Sequence, residues 1–213
     1  MHVDMTVNRL WQVLPIALAL VAGALTAPAQ AAPKQEKAVL AGGCFWGLEA
    51  VFESLKGVSD VVSGFSGGAA ATAHYEIVST GTTGHAESVE ITYDPAQISY
   101  RQLLQVYFTV ATDPTELNYQ GPDHGTQYRG SIFYTSDAQK RTAEATIHEL
   151  TAAHAYNAPI VTTVVPLVAF YPAEAYHQHY LRLHPDEPYI VYNDMPKLKA
   201  LHDRFPALVK PHA

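Results

Sequence analysis

Apolar and polar residues alternate along the chain in two periodicities, and they predict an interleaved series of strands and helices. Ala38 to Ala41 is an apolar run typical of a short strand, and two glycines follow it. An amphipathic helix is expected next, over 46–55 and ending at Gly57, because the spacing i, i+3, i+4, i+7 is occupied by Leu48, Val51, Phe52 and Leu55. Cys44 therefore lies at a predicted strand-to-helix turn.

The remaining strands are predicted from β-rich or alternating stretches. Val58 to Phe65 and Ser131 to Tyr134 are β-rich, and a third such stretch runs from Ile160 to Phe170. Val89, Ile91 and Tyr93 alternate with polar residues, which predicts a half-buried strand that ends at 94–95.

The remaining helices are predicted from their start signals. Capping-box patterns at Ser99 and Ser136 open two helices, the second running to about Ala153, and Pro172 opens a third that continues through Tyr180 and Leu183. Because strands and helices interleave without a strict βαβ rhythm, we expect an α+β fold. We expect a two-layer sandwich of helices on a mixed, mainly antiparallel sheet, with a ferredoxin-like core.

Composition and charge narrow the class of protein. The 213 residues are 48% hydrophobic, carry a formal charge of −7 and include one Cys. The chain is therefore globular and cannot build a disulfide framework. Since the charge is acidic and no Lys/Arg cluster occurs, we expect no nucleic acid partner and a small-molecule or protein substrate.

The first 31 residues have the pattern of a secretory signal peptide. The apolar segment 14–25 is followed by a small-x-small cleavage pattern at Ala29 to Ala31. Its 12 residues fall short of the roughly 20 that span a bilayer, so an uncleaved membrane anchor is the weaker alternative. We expect an exported, periplasmic or secreted protein with one domain over 32–213 and no stable membrane span.

Cys44 is the first candidate for chemistry. A lone Cys in an exported protein suggests a reactive thiol, and a helix N-terminus favours the thiolate and lowers the thiol pKa. Phe45 and Trp46 follow it directly and could hold a small apolar group against the sulfur. The alternative is an inert Cys that packs as a small hydrophobe.

Glu87 is the second candidate, because counting by twos places it on the apolar face of the strand with Val89 and Ile91. Burial raises the pKa of a carboxyl group, so Glu87 could act as a general acid near neutral pH. The alternative is a strand-end Glu that curls into water, while the neighbouring His85 is expected to be a loop residue.

Three stretches closely resemble motifs of the A-type peptide methionine sulfoxide reductases: GGCFWG at 42–47, GHAE at 84–87 and DHGTQYR at 123–129. Further similar stretches are GFSGG at 64–68, YDP at 93–95, FYPAE at 170–174 and HQHY at 177–180. The resemblance covers the chain from about Val39 to Pro206. This family repairs oxidised methionine.

The resemblance implies that the protein reduces the S epimer of methionine sulfoxide, free or in proteins. Cys44 would attack the sulfoxide sulfur and become a sulfenic acid, and Glu87 would protonate the oxygen. The remaining site residues would be Tyr75 and Tyr128 as hydrogen-bond donors to that oxygen, Phe45 and Trp46 around the methyl group, and Asp123 and Gln127 as polar pocket residues.

This chain departs from relatives that carry resolving cysteines near the C-terminus. We therefore expect a cycle in which an external thiol, from a thioredoxin-like protein or a small molecule, attacks Cys44 directly. We expect no metal or other cofactor, and a monomer. Tyr119 and His124 also differ from many relatives, at the predicted rim of the pocket.

Other functions remain open on the residues alone. Ser66 lies in a G-x-S-x-G pattern, although no helix is predicted directly after it. A cysteine hydrolase built on Cys44, His85 and Asp123 is the alternative enzyme, and an exported binding module is the alternative without chemistry. The 148–154 segment lacks the H-E-x-x-H spacing, and we expect His177 and His179 to face different ways and not to chelate a metal together.

Overall fold

The computed structural model describes residues 35–211, so the predicted signal peptide at 1–31 lies outside the described residues. The strands are β1 (Glu36–Ala41), β2 (Val58–Ser66), β3 (Ala86–Tyr93), β4 (Tyr119–Gln120), β5 (Asp123–His124), β6 (Ser131–Tyr134), β7 (Thr163–Pro166) and β8 (Phe170–Pro172). The helices are α1 (Phe45–Glu53), α2 (Tyr75–Val78), α3 (Tyr100–Val106), α4 (Asp137–Ala152), α5 (Tyr180–Leu183) and α6 (Met195–Arg204). In this part of the chain, every helix is too short or too polar to cross a membrane.

Six of the strands form one mixed sheet in the order β7-β6-β1-β3-β2-β8. The β6 and β7 strands pair in parallel, whereas the other neighbouring pairs are antiparallel. The predicted α+β class and the mainly antiparallel sheet are therefore confirmed. The strands β4 and β5 form a separate two-stranded ribbon.

The central strands are apolar because helices cover them. The last four residues of β1 are buried, and α1 directs Phe45, Leu48 and Phe52 into the core, each with no exposed side-chain surface. Burying a side chain of this size stabilises the fold by about 1.5–3 kcal/mol. The turn from β1 to α1 is thus fixed at both ends by packed elements.

The predicted capping residues hold their helices. The Ser99 hydroxyl accepts a hydrogen bond from the Gln102 backbone N–H, and the Gln102 side chain accepts one from the Ser99 backbone N–H. Ser136 accepts the Gln139 backbone N–H in the same way at the start of α4, which ends at Ala152 as expected.

The prediction of one helix from Pro172 through Leu183 is wrong. Pro172 ends β8, a single 3-10 turn follows at Ala175–His177, and α5 begins only at Tyr180. His179 interrupts the segment with a left-handed backbone (φ +55°). Tertiary contacts override the helical pattern here, because the Gln178 side chain makes two hydrogen bonds with the backbone of Ser63, at 3.0 and 2.9 Å.

Candidate active site

The turn between β1 and α1 places Cys44 at the N-cap of α1, where the sequence pattern predicted it. Gly43 adopts φ +100°, and a Cβ atom at this position would lie 2.9 Å from Cβ of Gln120. Both the positive φ and the close approach require glycine here. As a result, the Cys44 side chain is held at the start of the helix, 8% exposed.

The prediction of a low pKa for the Cys44 thiol is wrong for this structure. Burial raises the pKa of Cys44 well above its ordinary value, and the carboxylates of Glu87 and Asp194 raise it further. The backbone N–H of Trp46 acts in the predicted direction, but it is outweighed. The resting thiol is therefore protonated, because desolvation disfavours the thiolate more strongly than the helix N-terminus favours it.

Glu87 lies on the buried face of β3, 1% exposed, as the alternation predicted. The alternative of a strand-end Glu in water is wrong. Burial raises the pKa of Glu87 to about 8, and the charge of Asp123 acts in the same direction. The Phe45 backbone N–H donates to Oε2 of Glu87 at 3.1 Å, which lowers the pKa only partly. The carboxyl group thus holds a proton near neutral pH and can donate it.

Two tyrosines and an aspartate complete the polar wall of the site. Burial raises the pKa of Tyr75 to about 12 and raises the pKa of Tyr128 further, so both phenols remain protonated donors. Asp123 accepts a hydrogen bond from the Tyr189 hydroxyl, and burial raises the pKa of its carboxyl group.

The aromatic wall is built from the first turn of α1, from Phe65 of β2, and from His177 and Tyr180 just before and at the start of α5. The Trp46 indole stacks on Tyr180 with ring centroids 3.8 Å apart and donates from Nε1 to Nδ1 of His177 at 3.1 Å. Phe45 packs against Phe65 at 5.8 Å and against His177 at 5.1 Å. Both aromatics predicted to contact the substrate are therefore fixed in orientation.

These side chains enclose a cavity of about 300 Å³, lined by Cys44, Phe45, Trp46, Tyr75, Glu87, Asp123, Tyr128, Glu187 and Tyr189. Seven of the eight predicted site residues line it. Gln127 does not: it is buried, 4% exposed, and its amide reaches the backbone oxygen of Ser79 at 3.3 Å. Its 3-10 turn directs the side chain beneath the 79–81 loop, so its effect on the cavity is indirect.

Glu187 and Tyr189 are cavity residues that the sequence reasoning missed. They belong to the segment HPDEPY at 184–189, whose mixed polar and aromatic residues follow no periodic pattern. The available signal was an aromatic residue, Tyr189, which follows two prolines and precedes an apolar run. Tyr119 and His124 stack on each other at 5.3 Å in the β4–β5 ribbon and do not belong to the cavity lining.

The hydrolase alternatives do not fit the structure. Nδ1 of His85 accepts the Gly68 backbone N–H at 3.2 Å, and Nε2 lies 3.0 Å from the Ala69 oxygen. Both ring nitrogens therefore hold the 68–69 loop, and His85 is not available as a base for Cys44. Ser66 is buried at the end of β2 and is followed by a loop rather than by the helix that a nucleophile elbow requires.

The predicted separation of His177 and His179 is observed. His177 contacts the aromatic wall, whereas His179 lies beside Glu49 and Glu53. Within residues 35–211, the groups that could bind a metal together are Glu49, Glu53 and His179.

The residues that line the cavity beside Cys44 supply a thiol, a protonated carboxyl group and phenols.

Known proteins resemble this chain over most of its length. Residues 36–207 match the family model described as peptide methionine sulfoxide reductase. A peptide methionine sulfoxide reductase MsrA 2 of Mesorhizobium japonicum is 60% identical over 84% of this chain and 92% of its own length. An MsrA 2 of Synechocystis is 52% identical over 80% of this chain and 79% of its own length.

Solved structures agree in fold. The crystal structure of Mxr1 from Saccharomyces cerevisiae in reduced form matches with a TM-score of 0.68 and 34% identity, over 72% of this chain and 87% of that chain. Methionine sulfoxide reductase A of Corynebacterium diphtheriae matches with a TM-score of 0.62 and 35% identity, over 73% of this chain and 77% of that chain. This chain therefore belongs to the A-type peptide methionine sulfoxide reductases and reduces methionine sulfoxide to methionine.

Proposed function

We propose that Cys44 is the nucleophile of this reduction and that it ends each turnover as a sulfenic acid. The Cys44 sulfur attacks the sulfoxide sulfur, whose S–O bond breaks while an S–O bond forms on Cys44. The substrate sulfur gains two electrons and Cys44 loses two, so one sulfoxide and one thiol give one thioether and one sulfenic acid. This exchange of oxygen between two sulfur atoms needs no prosthetic group.

Glu87 supplies the proton that the sulfoxide oxygen requires before it can leave. The single observation that carries this role is the buried carboxyl group of Glu87, which lines the same cavity as Cys44 and accepts the backbone N–H of Phe45 at 3.1 Å. The same helix start thus positions both the nucleophile and the acid. Tyr75 and Tyr128 donate hydrogen bonds to the same oxygen, which stabilises its developing charge.

The aromatic wall holds the methyl group and sets the epimer. Phe45 and Trp46 contribute apolar surface to the cavity, and Glu87, Tyr75 and Tyr128 contribute its polar groups. A sulfoxide sulfur is chiral, so a site with fixed apolar and polar walls accepts one configuration. We assign the S epimer, on the family resemblance, with methionine sulfoxide either free or within a protein as the substrate.

An external thiol regenerates the enzyme. Cys44 is the one Cys of the chain, so an intramolecular disulfide cannot form. A first external thiol attacks the sulfenic acid and releases water, and a second thiolate breaks the mixed disulfide. A thioredoxin-like protein, whose two thiols supply both steps, or a small thiol serves as reductant.

The test is a single-turnover measurement of methionine release without reductant. We expect about one methionine per enzyme from the S epimer, and none from the R epimer or from the Cys44→Ser variant. A burst that persists in Cys44→Ser would remove Cys44 from the mechanism. Ester cleavage without a sulfoxide burst would instead favour the cysteine hydrolase.

Two further features of the chain belong to this proposal. We propose that residues 1–31 direct export to the periplasm or the medium, which the apolar run at 14–25 and the Ala29 to Ala31 pattern support. We also propose that the enzyme acts as a monomer. Fractionation of cells with N-terminal sequencing of the mature protein tests export, and sedimentation tests the monomer.

We also propose a ferredoxin-like two-layer core for residues 36–134. Support comes from the chain order β1-α1-β2-β3-α3-β6 and from the spatial order β6-β1-β3-β2, in which the strands pair antiparallel. In such an arrangement, both helices cross the same face of the sheet, which would bring the N-terminus of α1 to one edge of the layer.

A further inference from the structure

A second polar cluster lies on α1, away from the substrate cavity. Glu49 and Glu53 are one helical turn apart, so their carboxylates lie on the same side of the helix. Nδ1 of His179 lies 2.6 Å from Oε1 of Glu53 and 3.6 Å from Oε1 of Glu49. His179 reaches this position because its left-handed backbone (φ +55°) turns the chain just before α5.

A buried oxygen of Glu49 without a hydrogen-bond partner is a second feature of the cluster, independent of the spacing of its donor atoms. The residue is 1% exposed, and its Oε2 accepts the backbone N–H of His179 at 2.9 Å. Its Oε1 is buried and has no hydrogen-bond partner among the described residues, although it points to the imidazole of His179. A proton on Nδ1 of His179 can satisfy Glu53 but not this second oxygen, which is costly to leave unpaired in a buried position. The buried Ser63 hydroxyl also lies near the Glu49 carboxyl group and acts to lower its pKa.

We propose that Glu49, Glu53 and His179 bind a divalent transition-metal ion of the Zn²⁺ class. One imidazole nitrogen and two carboxylate oxygens form a donor set that Zn²⁺ uses. The three donor atoms lie within 4.8 Å of one another. Two ligands at about 2.1 Å from a tetrahedral ion are roughly 3.4 Å apart, close to the spacing between His179 and Glu49. The shorter pair, His179 and Glu53, would open when the ion replaces the shared proton.

The surroundings leave room for a fourth ligand. Beside the cluster is a cavity of about 350 Å³, which can admit water to an open coordination position. Arg182 lines the same cavity and Lys210 donates to the backbone oxygen of Glu53, so two positive charges oppose the ion from outside.

A metal ion bound at this cluster would connect α1 to the segment before α5. The metal ligands come from both elements, and Trp46 lines this cavity as well as the substrate cavity. Since Cys44 is the N-cap of α1, the ion would stiffen the helix that positions the nucleophile. The proposal does not depend on the roles assigned to Cys44 and Glu87.

The test is calorimetric titration with Zn²⁺ alone, on the wild-type chain and on a Cys44→Ser parent that removes the competing thiol. We expect one Zn²⁺ site in the Cys44→Ser parent. The changes His179→Gly and Glu49→Gln, each made in this parent, should lower the affinity for Zn²⁺ roughly ten-fold or more. Glycine tolerates the left-handed backbone, and glutamine keeps the acceptor for the His179 N–H. His154→Gly is the matched control, because His154 is an exposed histidine with the same left-handed backbone conformation (φ +49°).

Thermal unfolding provides a second readout. Zn²⁺ should raise the midpoint of the parent and of His154→Gly, but not that of His179→Gly, because a ligand bound to the native state stabilises it. The proposal is overturned if the parent binds no Zn²⁺, or if His179→Gly binds and responds as His154→Gly does. In the first case, a proton shared between His179 and Glu53 is all that the cluster holds.

Discussion

Burial, rather than the adjacent N-terminus of α1, determines the protonation states of Cys44 and Glu87. Both groups lie against the N-terminus of α1, and desolvation raises the pKa of each. A protonated acid is what the sulfoxide oxygen requires, whereas the thiol must lose its proton as it attacks sulfur. The thiol therefore rests in its protonated form, which is less nucleophilic than the thiolate.

The pH dependence of turnover should report Glu87. Because the pKa of Glu87 is about 8, its acid form is present below that pH and is lost as the pH rises through about 8. The single-turnover rate should therefore fall on the alkaline side of pH 8. In Glu87→Gln the rate should drop by roughly 10²–10⁴ and this alkaline limb should disappear. An unchanged rate in the variant would remove Glu87 from the mechanism.

Tyr75 and Tyr128 should both donate hydrogen bonds to the sulfoxide oxygen. Replacing either Tyr75 or Tyr128 with Phe removes one donor and should lower the single-turnover rate by up to roughly 10²-fold, with a larger loss in the double variant. Tyr134→Phe, in β6 and outside the cavity lining, is the control and should leave the rate unchanged. Equal rates in all three single variants would contradict the proposed hydrogen bonds.

At the scale of elements, the start of α1 and the C-terminal helices fit closely together. A Cβ atom added at Gly47, in the first turn of α1, would lie 2.1 Å from Oδ1 of Asp194. The Asp194 carboxylate is fully buried and pairs with Lys197 at 3.1 Å. Gly47 therefore allows the segment before α6 to close over the helix that carries Cys44.

Gly47→Ala should destabilise the protein through this contact. Overpacking of this kind costs about 1–3 kcal/mol in the free energy of unfolding, measured by urea denaturation. In an Asp194→Ala background the same change should cost less, because the clashing oxygen is gone. Additive costs in the double variant would show that the contact with Asp194 is not the cause.

The sequence predicts those elements whose conformation is determined by residues close together in the chain. Alternation placed Glu87 on the buried face of β3, and capping residues placed the starts of α3 and α4. The segment 172–183 was mispredicted because its conformation depends on Gln178 binding a strand more than a hundred residues earlier. Such a distant hydrogen bond leaves no periodic signal.

At the scale of the whole molecule, the cavity joins residues from five separate stretches of chain, at 44–46, 75, 87, 123–128 and 187–189. The resemblance to a family supplied most of these positions, but Tyr189 lay in a tail without a pattern. The raised pKa of Cys44 was also beyond the sequence, because it depends first on burial in the assembled fold and then on the charges of Glu87 and Asp194. Burial and charge at a site are properties of the assembled fold.

The stability of the molecule should depend on pH through Glu87. Its pKa in the folded state, about 8, lies above the ordinary value of 4.5, so the folded state binds a proton that the unfolded state releases. This contribution is fully present below about pH 4.5 and is lost as the pH rises to about 8. Between pH 5 and pH 8, urea unfolding should show Glu87→Gln gaining a few kcal/mol relative to the wild type. Parallel pH profiles would contradict burial of the charge.

The most direct test of the account is the chemical state of Cys44 after one turnover. The enzyme is mixed with the S epimer of methionine sulfoxide without reductant, the sulfenic acid is trapped with a dimedone-type reagent, and methionine is quantified in the same sample. We predict trapped sulfenic acid at Cys44 in equal amount to the methionine formed. Methionine formed without modification of Cys44 would show that Cys44 is not the nucleophile.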